Sequence, residues 1–149
     1  MHRALHTRAC DLFGVRLPIV QTGMGWVSGA SLTAATANAG GLGILAAVTM
    51  TAAELKDAVQ RVKARTDKPF GVNFRADQAD VGERIDYALS EGVRAISFAG
   101  APSKALVQQI HAGGGLCVVT IGRRRHAEKM ASWGVDALIA QGGEGGGHT

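Results

Sequence analysis

The residues with the most chemistry stand together late in the chain, as Gln141-Gly142-Gly143-Glu144-Gly145-Gly146-Gly147-His148. Five glycines in this stretch remove Cβ atoms, so backbone N–H groups can approach an anion or a planar ligand. His148 is suited to proton transfer near neutrality, and Glu144 is the other titratable member. The alternative reading is a glycine-rich tail with an incidental histidine. A second such segment, Gln21-Thr22-Gly23-Met24-Gly25-Trp26, follows the first apolar run. There the polarizable Met24 either lies against a flat ring or fills core beside a tight turn. Asn73 closes another apolar run, where Asn is a poor β-former. Its amide offers donor and acceptor to the edge of a flavin or a base, unless it simply forms a turn. Arg123-Arg124-Arg125-His126 opens a helix, where cations oppose the macrodipole. That placement fits a phosphate or carboxylate ligand, or a solvated basic loop.

Other chemistries find no support. His2, His6 and His111 have no Cys or carboxylate at metal-ligand spacing, so no metal site is expected. There is no G-x-S-x-G nucleophile elbow. Cys10 and Cys117 are too few and too far apart for a disulfide framework, and Cys117 sits in the buried-strand pattern Leu116-Cys117-Val118-Val119. A reduced, cytoplasmic protein is the default. The net charge of +4 lies mostly in sequences such as Glu54, Lys56, Asp57, Arg61, Lys63, where signs mix along a helix face. No basic stripe carries interleaved aromatics, so no nucleic-acid partner is expected. Apolar runs fall far short of the roughly 18 residues of a membrane helix. The N-terminus lacks the apolar core of a secretory signal. With 46% apolar residues and 19% charged, the 149-residue chain can bury a core. With only 5% aromatics that core must be Ala, Val, Leu and Ile.

The elements that position these residues alternate. Apolar runs over 17–20, 42–48, 69–74, 93–99, 116–121 and 135–140 read as six strands. Between them, 31–39, 51–65, a stretch from Asp80 to Gly92, 103–112 and 123–133 read as helices. Thr51 and Glu54 form a capping box, and Asp80 with Glu83 is a candidate for a second cap. Gly40, Gly92, Gly113 and Gly134 end helices. Strands apolar nearly throughout imply a parallel sheet buried on both faces, hence an α/β fold. Six strands leave open a doubly wound sheet or part of a barrel. Gly23, Gly25 and Gly29 do not match the dinucleotide fingerprint of a Rossmann domain.

Four motifs in order carry a resemblance: Pro18-Ile19-Val20-Gln21-Thr22-Gly23-Met24-Gly25, Asn38-Ala39-Gly40-Gly41-Leu42-Gly43, Pro69-Phe70-Gly71-Val72-Asn73, and Ala140-Gln141-Gly142-Gly143-Glu144-Gly145-Gly146-Gly147-His148. From about Cys10 onward the chain resembles the nitronate monooxygenases, also called 2-nitropropane dioxygenases. It shares much of this pattern with the flavin-type enoyl-acyl-carrier-protein reductases. The resemblance implies a (β/α)8 barrel of TIM type with FMN at its C-terminal face, here truncated to about six strands. It places Gly23, Met24, Asn73, Gln141, Gly142, Gly146 and Gly147 at the cofactor. Met24 would pack near the isoalloxazine and Asn73 would hydrogen-bond it. His148 is similar to the active-site histidine that handles the substrate's Cα proton or orients the nitronate.

Two departures bear on substrate. Position 145 is Gly where many members have Ala, and the first motif reads Gln-Thr-Gly-Met where many read Gln-Ala-Pro-Met. That variant resembles a subgroup in which some members reduce CoA thioesters in steroid breakdown. The activity the family resemblance implies is FMN-dependent oxidation of alkyl nitronates by dioxygen. The alternatives are NAD(P)H-dependent reduction of an acyl thioester, with Arg123, Arg124 and Arg125 meeting a phosphate, or an inactive fragment. The seventh and eighth strands and the family's smaller helical domain would lie beyond Thr149. A small-molecule substrate and self-association through open sheet edges are the expected partners.

Overall fold

Strand pairing decides the architecture that periodicity left open. The computed structural model describes residues 5–146. Six strands, β1 (Val20–Gln21), β2 (Leu42–Ala46), β3 (Phe70–Phe74), β4 (Ala95–Phe98), β5 (Leu116–Ile121) and β6 (Ala137–Ala140), form one sheet in the order β1-β2-β3-β4-β5-β6. Every pairing is parallel. Helices α2 (Ala30–Ala39), α3 (Ala52–Lys63), α4 (Val81–Ser90), α5 (Lys104–Ala112) and α6 (Arg124–Ser132) fill the five connections. A doubly wound sheet reverses its strand order at a switch point. Here the order never reverses, so the sheet is the wall of a (β/α)8-type barrel, present as six parallel strands in a half-barrel. Among the described residues the outer edges of β1 and β6 pair with no strand.

Alternation along the strands builds two cores. Leu45, Phe74, Phe98 and Val119 point outward and pack with Val59, Ile85 and Ile110 of the helices. Leu42, Ile44, Ala95 and Val118 point into the lumen. Both sets are close to fully buried, and each such large side chain is worth about 1.5–3 kcal/mol. The inner core is met from below by α1 (Arg8–Phe13), a helix the sequence reading did not anticipate. Its Phe13 packs among the lumen residues, and Arg94 Nη2 donates to Leu12 O at 2.8 Å at its C-terminal end. Pairing of α2 with β2 needs Gly43: a Cβ there would stand 2.2 Å from Thr33 O on the helix backbone.

Several expectations need correction. The first strand is two residues, Val20–Gln21, rather than 17–20, because only Val20 and Gln21 find register with β2. The second ends at Ala46 rather than 48. The capping box of Thr51 and Glu54 is formed, Glu54 N donating to Thr51 Oγ1 at 3.3 Å and Thr51 N to Glu54 Oε2 at 2.7 Å. Asp80 makes no side-chain cap. Its carboxylate instead pairs with Arg84 Nε at 2.7 Å, and Arg84 is nine-tenths buried. A buried guanidinium needs a counter-charge more than a helix end needs one more acceptor. Among the described residues, no helix is long and apolar enough to cross a membrane.

Candidate functional site

The strands' C-terminal ends are where α/β folds of this kind bind ligands. Moving up the lumen toward that end, the inward side chains turn small and polar. In-register neighbours Ala46, Asn73 and Ser97 succeed the apolar Ile44, Gly71 and Ala95. On β5 the register partner of Ser97 is Val118, and Thr120 is the next inward position toward the top. A lumen that is greasy below and polar above seats a flat, partly polar group against its mouth.

Asn73 is the best-defined member. It lies within β3 rather than in a turn, is 5% exposed, and its backbone O accepts from Ala47 N at 3.0 Å. Its Nδ2 donates to Ser97 O and to Ser97 Oγ, both at 3.2 Å. A carbonyl only accepts, so Ser97 fixes which end of the amide is NH2. Gly23 lies directly on this residue: a Cβ at Gly23 would stand 2.5 Å from Asn73 Cβ and 3.4 Å from its Oδ1.

The loop bearing Gly23 and Met24 is held by Ser28, which is 1% exposed. Ser28 Oγ accepts from Gln21 Nε2 and from Met24 N, and donates to Thr22 O, each at 2.9 Å. Gln21 Nε2 also donates to Thr22 O and to Ile44 O. The Met24 side chain is 38% exposed. So Met24 is not core filler; a rigid loop presents it at the mouth.

At the far edge, Gln141 N donates to Ile121 O at 2.9 Å, carrying the strand pairing into the glycine segment. The segment then folds back, Gly145 N donating to Gly142 O at 3.0 Å and Gln141 Nε2 to Gly146 O at 3.4 Å. Glu144 lies over Gly142, where a Cβ would meet its carboxylate oxygen at 2.2 Å. Around Gly143 and Gly146 a Cβ would meet nothing within 4 Å, leaving backbone open to a ligand. Gly147 and His148 lie outside the described residues.

The basic segment splits. Arg123 is the N-cap of α6 and makes no side-chain cap. Arg124 pairs with Glu128 at 2.7 Å on an exposed helix face. Away from this end, His111 meets Asp136 Oδ2 at 2.9 Å, and the same oxygen accepts from Cys117 N at 2.7 Å. A carboxylate distant in sequence thus does reach His111, as a clamp between α5 and the start of β6. Burial first, and the Asp136 charge second, push the Cys117 thiol up to about 12. No group of three or more potential metal ligands occurs among the described residues.

Sequence reasoning passed over Ser28, Ser97 and the structural part of Gln21. Ser97 had a signal, as the sole hydroxyl in Ala95-Ile96-Ser97-Phe98. Ser28 had none beyond its place before a glycine.

A family model described as nitronate monooxygenase matches residues 6–149. The chain is 57% identical over 145 residues to a (3aS,4S,5R,7aS)-5-hydroxy-7a-methyl-1-oxo-octahydro-1H-indene-4-carboxyl-CoA dehydrogenase of Mycobacterium tuberculosis, covering 97% of this chain and 41% of that protein. It is 32% identical over 180 residues to the nitronate monooxygenase of Pseudomonas aeruginosa, covering 95% of this chain and 51% of that protein. The solved structure of FabK from Thermotoga maritima superposes with a TM-score of 0.91 at 31% identity, over 96% of this chain and 46% of that one. The chain thus spans about half the length, or less, of these relatives.

Proposed function

The chain belongs to the nitronate monooxygenase family, and we propose that within it this chain forms the N-terminal part of an FMN-dependent oxidoreductase acting on an acyl-CoA. The observation that carries the choice of substrate is the 57% identity, nearly end to end, with a carboxyl-CoA dehydrogenase, against 32% with a nitronate monooxygenase.

The residues present fit a flavin. A cradle that a Cβ would fill, at Gly23, and open backbone, at Gly143 and Gly146, flank a polar lumen mouth. Gly23, Met24, Asn73, Gln141, Gly142, Gly146 and Gly147 would hold the ring system. FMN, when bound, supplies two-electron acceptor and donor chemistry. This chain's own contribution is positional. Ser97 orients the Asn73 amide, Ser28 fixes the Met24 loop, and the apolar inner core keeps water from below. His148 would handle the proton, an imidazole being suited to proton transfer near neutrality.

Nitronate oxidation is the second reading, favoured by the family match itself. The test joins this chain to the C-terminal remainder of the Mycobacterium tuberculosis relative, loads FMN, and mixes anaerobically. Bleaching of the oxidised flavin band by a hydroxylated alicyclic acyl-CoA, with none by propyl nitronate, is expected. The reverse pattern overturns the acyl-CoA reading in favour of nitronate.

A further inference from the structure

We propose that Arg84 is a positioning residue of the candidate site, a strut from α4 that fixes where Asn73 and the Met24 loop stand relative to one another. The proposal rests on the flavin reading above for what those two walls hold. Its geometry stands apart from that reading.

Arg84 sits in the first turn of α4, on the buried face it shares with Val81, Ile85 and Ala88. Two forces disfavour an arginine there. A cation near a helix N-terminus opposes the macrodipole. A guanidinium buried to this degree has also given up most of its water. Asp80 Oδ2 lies 2.7 Å from Nε but not along the N–H direction, so it neutralises the charge without satisfying that donor. Such a pair is a weak source of stability, and an apolar side chain of similar volume is often as good. What an apolar residue cannot do is donate. Arg84 Nη1 donates to Met50 O at 2.7 Å, on the connection between β2 and α3.

That carbonyl belongs to a turn whose other end carries the site. Met50 N donates to Ala47 O at 3.1 Å, closing the turn. Two consecutive amides at its start serve opposite walls. Ala46 N donates to Ser28 O at 2.9 Å, and Ala47 N donates to Asn73 O at 3.0 Å. Ser28 is the residue that pins the Met24 loop. The turn touches that loop a second time, since a Cβ on Gly25 would meet Thr49 Cγ2 at 3.5 Å. Ala46, Ala47, Ser28 and Asn73 are all buried, so water is not at hand to replace these bonds. A shift of the 47–50 turn therefore moves the two walls that meet where Gly23 lies on Asn73. Arg84 is the side chain that grips this turn from outside it.

Two variants test the strut. Arg84→Met keeps an apolar stem and removes the donor, whereas Arg84→Lys keeps both the charge and a donor. Hydrogen exchange of the 149-residue chain, read by mass spectrometry, follows the walls without any flavin. In Arg84→Met, peptides over 20–30 and 44–50 should exchange about tenfold faster, while peptides over β5 and β6 hold the wild-type rate. Arg84→Lys should restore most of the protection. In the FMN-loaded chimera with the Mycobacterium tuberculosis remainder, Arg84→Met should raise the FMN Kd about tenfold and move the visible flavin maximum. With acyl-CoA it should lower kcat while KM holds, and Arg84→Lys should again lie close to wild type. Unchanged exchange of both segments in Arg84→Met overturns the strut. So does equal acceleration of every peptide, β5 and β6 included, since lost stability alone gives that pattern. Faster exchange of the two segments with FMN Kd and flavin spectrum unchanged overturns the positioning role. A wild-type chimera that binds no FMN removes the flavin reading instead, and the exchange result then decides the strut by itself.

Discussion

Gly23 and Asn73 are in contact across the mouth of the lumen, so closely that a methyl group on Gly23 would overlap Asn73 Cβ at 2.5 Å. Gly23→Ala therefore has to move either the loop or the strand. Asn73 sits in the buried β3, so the loop moves, taking Met24 with it. Overpacking of this kind costs about 1–3 kcal/mol. The expected outcome is a lowered urea midpoint. In Asn73→Gly background the same change should cost much less, giving a coupling energy in the double-mutant cycle.

Asn73→Asp tests the orientation of the amide. A carboxylate cannot donate to Ser97 O, which it would face at 3.2 Å. Loss of the donor at a buried site costs about 1–3 kcal/mol, and the charge adds to it. Burial raises the folded-state pKa of the new carboxyl above its unfolded value. Its contribution is thus least unfavourable at low pH, where it is protonated and can donate. Stability is lost as pH rises through the raised folded value. Urea midpoints at pH 5 and pH 8 should show the larger deficit against wild type at pH 8. An equal deficit at both would mean that the amide's NH2 is not what Ser97 meets.

Most of the secondary structure was legible because its causes are local. The box of Thr51 and Glu54 spans three residues, and the glycine at position 40, with φ +100°, ends α2 where periodicity stops. Strand order was not legible, since runs buried on both faces look alike in any parallel sheet. The site was half legible. Asn73 stood out as a polar residue in an apolar run, but Ser97, its partner, lies 24 residues away. The contact of Gly23 with Asn73 joins two separate motifs that the sequence leaves unconnected. Asp80 failed as a cap because Arg84, four residues on, proved to be buried, and periodicity does not bury arginines.

Cys117 should be chemically silent. Its thiol, raised from 9.0 to about 12 by burial and by Asp136, is protonated throughout the neutral range. Iodoacetamide at pH 8 is expected to leave it unmodified in the folded chain and to alkylate it fully in urea, as read by mass spectrometry. The group's contribution to stability is complete below its unfolded pKa near 9.0 and is lost as pH rises toward the folded value.

Arg123 caps α6 badly, a cation at the positive end of a helix with no side-chain bond to the backbone. Arg123→Ser supplies an acceptor there and should stabilise the chain by about 0.5–1 kcal/mol. If the arginine serves a phosphate instead, the same variant raises the acyl-CoA KM of the FMN-loaded chimera several-fold while kcat holds. A gain in urea midpoint with an unchanged KM would remove Arg123 from the site.

The 149-residue chain on its own should purify colourless and self-associated. In a barrel of this class the phosphate of the ligand is usually held after strands seven and eight, and the described residues supply six. The residues proposed for the ring side, Met24, Asn73 and Gln141, are all present. Charge-assisted hydrogen bonds to a phosphate are worth about 1.5–3 kcal/mol each. Forgoing two or three of them weakens FMN binding by several orders of magnitude, at about 1.4 kcal/mol per tenfold. The two sheet edges point the same way. Val20 on β1 and Leu138 on β6 are 39% and 37% exposed, and neither strand has an outer partner among the described residues. Unpaired N–H and C=O groups beside exposed apolar side chains are a template for pairing with another chain. Purification without added flavin, followed by a visible spectrum and an elution volume, checks both halves. The expected result is no absorbance in the flavin band and elution above the monomer mass. A yellow monomer with near-stoichiometric FMN would mean that this chain grips the phosphate with residues other than those expected.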